Sequence, residues 1–217
     1  MWHKMPGDDP DDALPRAPVD HPWFSRGYPR AERALERALG DARRAQNAQA
    51  WGRTLIIGAG TGLDVPALGE GTTDVVLLEP DATMRRTLSR RFPEWAIVGA
   101  SAEAMPFTEG AFDTVISSLV LCSVGDVARG LEEITRVLVP GGQYLFLEHI
   151  ANPHRLAGMV QQGIEPVWRC LGGGCRLTRD VETAVRQSPL TLTYCETVRA
   201  GGLLPVIRGR AVKSSGV

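Results

Sequence analysis

No uninterrupted run of roughly 18 or more apolar residues occurs in this chain of 217 residues, so the sequence predicts no transmembrane helix. A basic stretch followed by an apolar core is also missing from the N-terminus, which argues against a secretory signal. Cysteine is sparse. Cys122, Cys170, Cys175 and Cys195 fit no zinc-ligand spacing, so no metal is expected, and reduced thiols in a cytoplasmic setting are. An excess of either charge is lacking too: Lys plus Arg is 24, Asp plus Glu is 25, and the net charge is −1. Such a chain has little long-range attraction for nucleic acid or an anionic membrane, and neither is expected as a partner. The local cluster Arg85, Arg86, Arg90 and Arg91 reads as the solvated face of one helix.

What is present is a chain of ordinary globular composition, long enough for one domain with a buried core. Residues 1–22 hold Pro6, Pro10, Pro15, Pro18 and Pro22 with Asp8, Asp9, Asp11 and Asp12 between them, and predict an acidic, Pro-rich mobile tail. The remainder, 23–213, reads as a single domain. A helix is expected from about Pro29, with Ala31, Ala34, Leu35, Ala38 and Leu39 on one face and Gly40 as its stop. From Thr54 onward, short apolar runs alternate with helical patterns. The runs are Leu55–Ile57, Asp74–Leu78, Trp95–Val98, Phe112–Ser117 and Gln143–Glu148; the helices cover about 81–91 and Val127–Leu138, the latter stopping at Pro140-Gly141-Gly142. That alternation predicts an α/β fold, a parallel sheet covered on both faces. Residues 150–177 interrupt it with a helix broken near Pro166 and the cluster Gly172-Gly173-Gly174, an insertion suited to shaping a substrate pocket. A helix capped by Thr178, with Glu182 in its first turn, and two late strands near Leu190–Thr197 and Leu203–Val212 complete the pattern.

Four stretches carry chemistry. Leu55-Ile56-Ile57 runs into Gly58-Ala59-Gly60-Thr61-Gly62, where glycine permits a tight turn and close approach of backbone to a ligand. The third glycine comes one residue earlier than in G-x-G-x-x-G, a spacing that suits a nucleoside thioether better than a pyrophosphate on a helix N-terminus. Glu79-Pro80 ends the next strand, where a carboxylate can accept both hydroxyls of a ribose. Ser101, Ala102 and Glu103 follow the third strand and can offer hydrogen bonds to an adenine edge. Ser117, Ser118 and Leu119 lie at the end of the fourth strand, beside the point where ligands of open α/β sheets bind.

Together these stretches, with Leu138-Val139-Pro140-Gly141-Gly142 before the fifth strand, resemble the class I S-adenosylmethionine-dependent methyltransferases over roughly residues 50–150. The resemblance implies a Rossmann-like, seven-stranded, mostly parallel sheet whose last strand runs antiparallel. It implies S-adenosyl-L-methionine as cofactor and S-adenosyl-L-homocysteine as product. It places Gly58, Gly60 and Gly62 along the methionine and ribose, Glu79 on the ribose, Ser101 and Ala102 on the adenine, and Ser117 to Leu119 at the sulfonium. Two positions depart from the pattern. Ile56 stands where many relatives have an acid, so the methionine amine loses an acidic partner there. Ser101 often corresponds to Asp, although a serine still accepts one hydrogen bond.

Further on, Ser118-Leu119-Val120-Leu121-Cys122-Ser123-Val124, Phe146-Leu147-Glu148-His149, Glu165-Pro166-Val167-Trp168 and Gly172-Gly173-Gly174-Cys175-Arg176-Leu177-Thr178-Arg179 occur in order. This series is similar to the methyltransferase-like alkyl thiol S-methyltransferases, whose mammalian members carry a membrane tether that is not expected here. The resemblance implies methyl transfer to the sulfur of a small molecule, in natural-product tailoring or thiol detoxification. A thiol is already a few per cent ionised near neutral pH and asks for little acid–base apparatus. His149, after the fifth strand, is the candidate proton acceptor, with a structural role as the alternative. His21 and Tyr28 are candidates to close over the ligand, and Met159, Trp168 and Cys175 to line an acceptor pocket, each with ordinary packing as the alternative. Methylation of oxygen, nitrogen or carbon, and a non-catalytic module of the same fold, are the rival readings.

Overall fold

The strands of this chain read as continuous apolar runs because both faces of their sheet are covered. In the computed structural model, which describes residues 22–199 and 204–215, the sheet consists of β1 (Gly52–Ile57), β2 (Thr72–Leu78), β3 (Ala96–Val98), β4 (Phe112–Ser118), β5 (Leu138–His149), β6 (Thr191–Arg199) and β7 (Val206–Val212). Their order is β3-β2-β1-β4-β5-β7-β6. β1 pairs in parallel with β2 and β4, β2 with β3, and β4 with β5; β7 lies antiparallel between β5 and β6. This is the seven-stranded, mostly parallel Rossmann-like sheet expected. The chain steps outward from β1 to β3, then crosses back to place β4 on the other side of β1. A crevice therefore opens at the carboxyl ends of β1 and β4, the switch point where such sheets bind ligands.

Alternate residues of each strand face opposite layers. On one face Leu55, Ile57, Val76, Leu78, Val115, Tyr144 and Phe146 pack with Leu131, Ile134 and Val137 of α3 (Val127–Val137) and Val181 and Val185 of α5 (Val181–Gln187). On the other, Ile56, Val75, Leu77, Ile116 and Leu145 pack with Leu88 of α2 (Ala82–Arg91), while Leu147 meets Leu39 of α1 (Pro22–Asn47). Leu55, Ile56 and Ile57 are fully buried, and each contributes roughly 1.5–3 kcal/mol by leaving water. The central strands are thus stiff supports for the loops at their ends.

Four local expectations change. The first helix begins at Pro22 and passes through Gly40 to Asn47. Gly40 leaves room for the Glu36 side chain to cross the helix surface and reach Arg43 at 2.8 Å and Arg44 at 2.7 Å, so a residue read as a stop serves packing. Pro140-Gly141-Gly142 lies inside β5, with Gly141 at φ 80° and bonded to Lys213 O. The insertion helix α4 (Arg155–Leu171) continues through Pro166 instead of breaking. Asp180, rather than Thr178, caps α5 by accepting from Thr183 N; Thr178 donates to Glu165 through both its N–H and its hydroxyl. The expected tail and His21 lie outside the described residues. Among those described, no helix is long and apolar enough to cross a membrane.

Candidate active site

The glycine loop leaves β1 in a left-handed conformation, with φ of 58° at Gly58, 57° at Gly60 and 89° at Gly62. The three glycines serve different ends. A Cβ at Gly58 would meet Val120 at 2.6 Å, and one at Gly62 would collide with the Phe92 ring. At Gly60 the space is open, the nearest atoms being Met84 Sδ at 3.7 Å and Gly58 O at 3.9 Å. Gly58 and Gly62 are thus fixed by protein packing, whereas Gly60 keeps an open cradle that a ligand can approach closely. Glu79 sits beneath the loop, 5% exposed, accepting from Gly60 N and from Asp81 N, each at 2.8 Å. Burial pushes its carboxyl up to about 7, against the pull of those two N–H groups and of Arg85. A carboxylate has about four acceptor sites, so two remain for vicinal hydroxyls. Arg85 ties down the turn by donating to Glu79 O and Pro80 O, which removes it from any free basic patch. Open cradle and buried acid together fit a ribose.

The helix α1 crosses this loop. Glu32 accepts from Thr61 Oγ1 at 3.3 Å and from Arg91 Nη1 at 2.6 Å, joining α1, the loop and α2. Asp64, 5% exposed, accepts from Asn47 Nδ2 at 2.8 Å and Ser118 Oγ at 2.6 Å, and pairs with Arg43 Nε at 3.2 Å. It supplies a carboxylate on the cofactor side of the sheet, where Ile56 supplies none. The Tyr28 hydroxyl is pushed up to about 12, first by burial, with Asp64, Glu32 and Glu79 adding to the shift and Arg43 opposing it. Tyr28 therefore shares the electrostatic field of Arg43, Asp64, Glu32 and Glu79 at the glycine loop.

At the end of β4 the backbone turns sharply, with Leu119 at φ 60°, a left-handed conformation for a branched side chain. Glu148 Oε1 holds this turn by accepting from Val120 N and Leu121 N at 3.0 Å and from Ser117 Oγ at 2.9 Å. Ser117 also bonds Tyr144 OH at 2.7 Å and is fully buried. Its hydroxyl is committed to the α3 and α5 face, so it positions the turn and does not present a side chain at the sulfonium end. Ser118, on the opposite face, reaches Asp64. After β3, Ser101 Oγ donates to Glu103 Oε2 at 2.8 Å, and Glu103 Oε1 accepts from Asp126 N at 2.6 Å, fixing the loop expected at the adenine.

Beside Leu119 three chain segments bring sulfur and imidazole together. Cys122 Sγ donates to Leu119 O at 3.5 Å, His149 Nε2 lies 2.7 Å from Cys175 Sγ, and Trp168 Nε1 donates to Cys175 Sγ at 3.2 Å. Cys122, His149 and Cys175 are all buried. The neighbouring Cys122 sulfur, with His149 and Trp168, lowers Cys175, and Cys175 together with burial raises Cys122. The insertion loop is pinned here by Arg176 N donating to Cys122 O and by Arg179 Nη1 donating to Leu121 O and Val124 O.

Residues 55–146 match the family model described as a methyltransferase domain. Thiol S-methyltransferase TMT1A of Homo sapiens is 32% identical over 171 residues, 73% of this chain and 70% of that protein. The human TMT1B enzyme is 35% identical over 134 residues, 58% of this chain; the chain spans about half, 54%, of that relative's length. A demethylmenaquinone methyltransferase of Beutenbergia cavernae is 34% identical over 143 residues, 66% of this chain and 57% of that protein. Among solved structures, an S-adenosylmethionine-dependent methyltransferase of Thermotoga maritima superposes with a TM-score of 0.65 at 20% identity, covering 88% of this chain and 98% of that one. The chain belongs to the class I S-adenosylmethionine-dependent methyltransferases. S-adenosylmethionine is its cofactor.

Of the residues expected from sequence, the methyltransferase brings Gly58, Ala59, Gly60, Thr61, Gly62, Glu79 and Pro80 together at the end of β1, with Ser118 and Leu119 across the crevice. It joins His149, Cys175 and Trp168 in one cluster. Met159 stands apart, 59% exposed in an apolar stripe of α4 with Leu156, Val160, Val167 and Leu171. Asp64, Glu148, Arg43 and Glu32 were not expected. Asp64 had a local signal, an acid two residues after Gly62; the other three act through partners far away in sequence.

Proposed function

We propose that this methyltransferase transfers a methyl group from S-adenosylmethionine to the sulfur of a small-molecule thiol. The observation that carries the reading is the character of the acceptor edge. The side chains gathered beside Leu119 are thiol, imidazole and indole. Glu148, the carboxyl beside them, spends Oε1 on three protein donors that hold the turn after β4. The bound cofactor supplies an electrophilic sulfonium methyl. The chain holds it through the open cradle at Gly60, through Glu79 on the ribose, and through Asp64 near the charged methionine amine. Ser101, Ala102 and Glu103 line the adenine, with Glu103 restoring a carboxylate beside the serine. Leu119, held by Glu148, presents its backbone at the reacting end. The acceptor enters between β4, β5 and α4, where Trp168 favours an alkyl body. His149 orients the acceptor edge. The setting is cytoplasmic, with neither nucleic acid nor membrane as a partner.

A second reading, carbon methylation of a reduced quinone ring, is favoured by the similarity to a demethylmenaquinone methyltransferase. Incubation with methyl-labelled S-adenosylmethionine and a panel of alkyl thiols, phenols, amines and hydroquinones separates the two. Label in thioethers is expected. Label in ring carbon or phenolic oxygen, with thiols untouched, contradicts the sulfur reading.

A further inference from the structure

We infer that Cys122, His149 and Cys175 form a binding site for one borderline-soft divalent cation of the zinc type, whose fourth position takes the sulfur of the acceptor. The second half of this inference rests on the thiol reading above; the first half does not.

One ligand atom from each of the three residues lies within 4.8 Å of the other two, and all three residues are buried. They come from three separate segments: the turn after β4, the end of β5, and the glycine loop after α4. No local C-x-x-C or H-x-x-x-H spacing announces them, so the sequence alone gives no sign of a metal. A tetrahedral zinc with sulfur at about 2.3 Å and nitrogen at about 2.0 Å holds its ligand atoms roughly 3.5–3.8 Å apart. The 2.7 Å contact between His149 and Cys175 then opens by about 1 Å, and the widest pair closes by no more than about 1.3 Å. Gly172, Gly173 and Gly174 precede Cys175, the latter two at φ 62° and 86°, and give the loop a backbone path that side-chain-bearing residues rarely follow.

The surroundings suit a cation better than simple packing. Trp168 Nε1 donates to Cys175 Sγ, the outer hydrogen bond that steadies a ligating thiolate. His149 presents Nε2 to the sulfurs, 2.7 Å from Cys175 Sγ, while its Nδ1 is buried with no hydrogen-bond partner among the described residues. Two thiolates cancel the charge of a divalent ion, which leaves a neutral buried centre. Three protein ligands leave one position vacant, the arrangement of catalytic rather than structural zinc. Cys122 Sγ is 3.5 Å from Leu119 O, so the three residues adjoin the turn assigned above to the reacting end of the cofactor, and the vacancy is assigned to that side. An acceptor thiol binding there loses its proton to solvent and stays as a thiolate. Its sulfur then forms the new bond to carbon as the carbon–sulfonium bond breaks, giving a thioether and S-adenosylhomocysteine.

The test is spectroscopic and independent of turnover. The reduced full chain, stripped of metal, is titrated with cobalt(II), and zinc content is measured in parallel. One equivalent is expected, with a sulfur-to-cobalt charge-transfer band and the strong visible bands of tetrahedral cobalt. C122S, C175S and H149Q should each abolish the charge-transfer band or shift it, whereas C170A and C195A should leave it intact. Should a variant fail to fold, X-ray absorption at the zinc edge of the unaltered chain decides, with two sulfur and one imidazole ligand expected. Addition of an alkyl thiol should shift the cobalt bands, and the matching alcohol should not. Absence of stoichiometric metal, equal binding by the three variants, or a Cys122–Cys175 disulfide in the chain purified under reducing conditions overturns the site. Metal bound with no response to thiol overturns the fourth-position role. Failure of the methylation panel on thiols leaves the cobalt stoichiometry untouched, so the two readings fail separately.

Discussion

At the scale of single residues, Glu79 decides most. Its place at the end of β2, one strand on from the glycine loop, was legible in the sequence because a strand-end acid at that spacing has a geometric purpose. Glu79→Ala should raise the Kd for S-adenosylmethionine at least tenfold, about 1.4 kcal/mol, by calorimetric titration. Its protonation gives a sharper test. Burial raises the folded carboxyl from 4.5 to about 7, so between those values the folded chain holds a proton that the unfolded chain releases. Stability therefore falls as pH rises through that window, by up to about 3 kcal/mol. Chemical denaturation of Glu79→Gln should lose this fall. Binding runs the other way: the ionised carboxylate accepts the ribose hydroxyls, so affinity should improve about tenfold from about pH 6 to about pH 8. Asp81, Arg85 and Tyr28 share the field at Glu79, and the glutamine variant isolates its part. Asp64 was not legible in the same way. Its meaning depends on Asn47, Arg43 and Ser118, which only the fold brings to it.

At the scale of elements, the three loop glycines look alike in sequence and differ in structure. Gly62→Ala should destabilise the fold, since the added methyl meets Phe92 and the backbone is left-handed. Gly60→Ala meets open space and should cost only the left-handed strain, roughly 1–2 kcal/mol, while cofactor binding is weakened far more. Thermal unfolding and calorimetry on the two variants distinguish them; similar effects on both properties would contradict the assigned roles. The α1 helix shows the limit of pattern reading. Gly40 resembles a helix stop, yet the helix runs past it because the packing of Glu36 with Arg43 and Arg44 outweighs a modest intrinsic penalty. Pro166 resembles a break for the same local reason, and α4 absorbs it. The Arg43–Asp64 pair, 3% and 7% exposed, fastens α1 over the loop. Asp64→Ala should cost roughly 2–3 kcal/mol, because it leaves a buried guanidinium with Glu36 alone. The double variant with Arg43→Met should lose less than the sum of the single losses, as measured by urea unfolding.

For the whole molecule, alternation of apolar runs and helices was enough to read a doubly covered parallel sheet. The antiparallel β7 between β5 and β6 came only through resemblance, because strand order is not written in local periodicity. The acceptor edge was read in pieces: His149, Cys175 and Trp168 were each named, but not their meeting with Cys122, since the segments that carry them are joined only by tertiary contacts. Sheet topology puts this cluster and the glycine loop at the carboxyl ends of neighbouring strands, β5 and β4 beside β1. Saturation with S-adenosylhomocysteine at a hundred times its Kd should stabilise the chain by about 2.7 kcal/mol, and Glu79→Ala should lose about half of that gain or more at the same concentration. The acceptor atom decides the function. The most direct measurement is the ratio of kcat/KM for an alkyl thiol to that for the alcohol of the same chain, with product identity read by mass. Methyl thioether formed in one-to-one ratio with S-adenosylhomocysteine, at least about a hundredfold in favour of sulfur (roughly 2.7 kcal/mol), is the predicted result; methylation of oxygen or ring carbon with the thiol left unmodified would contradict it.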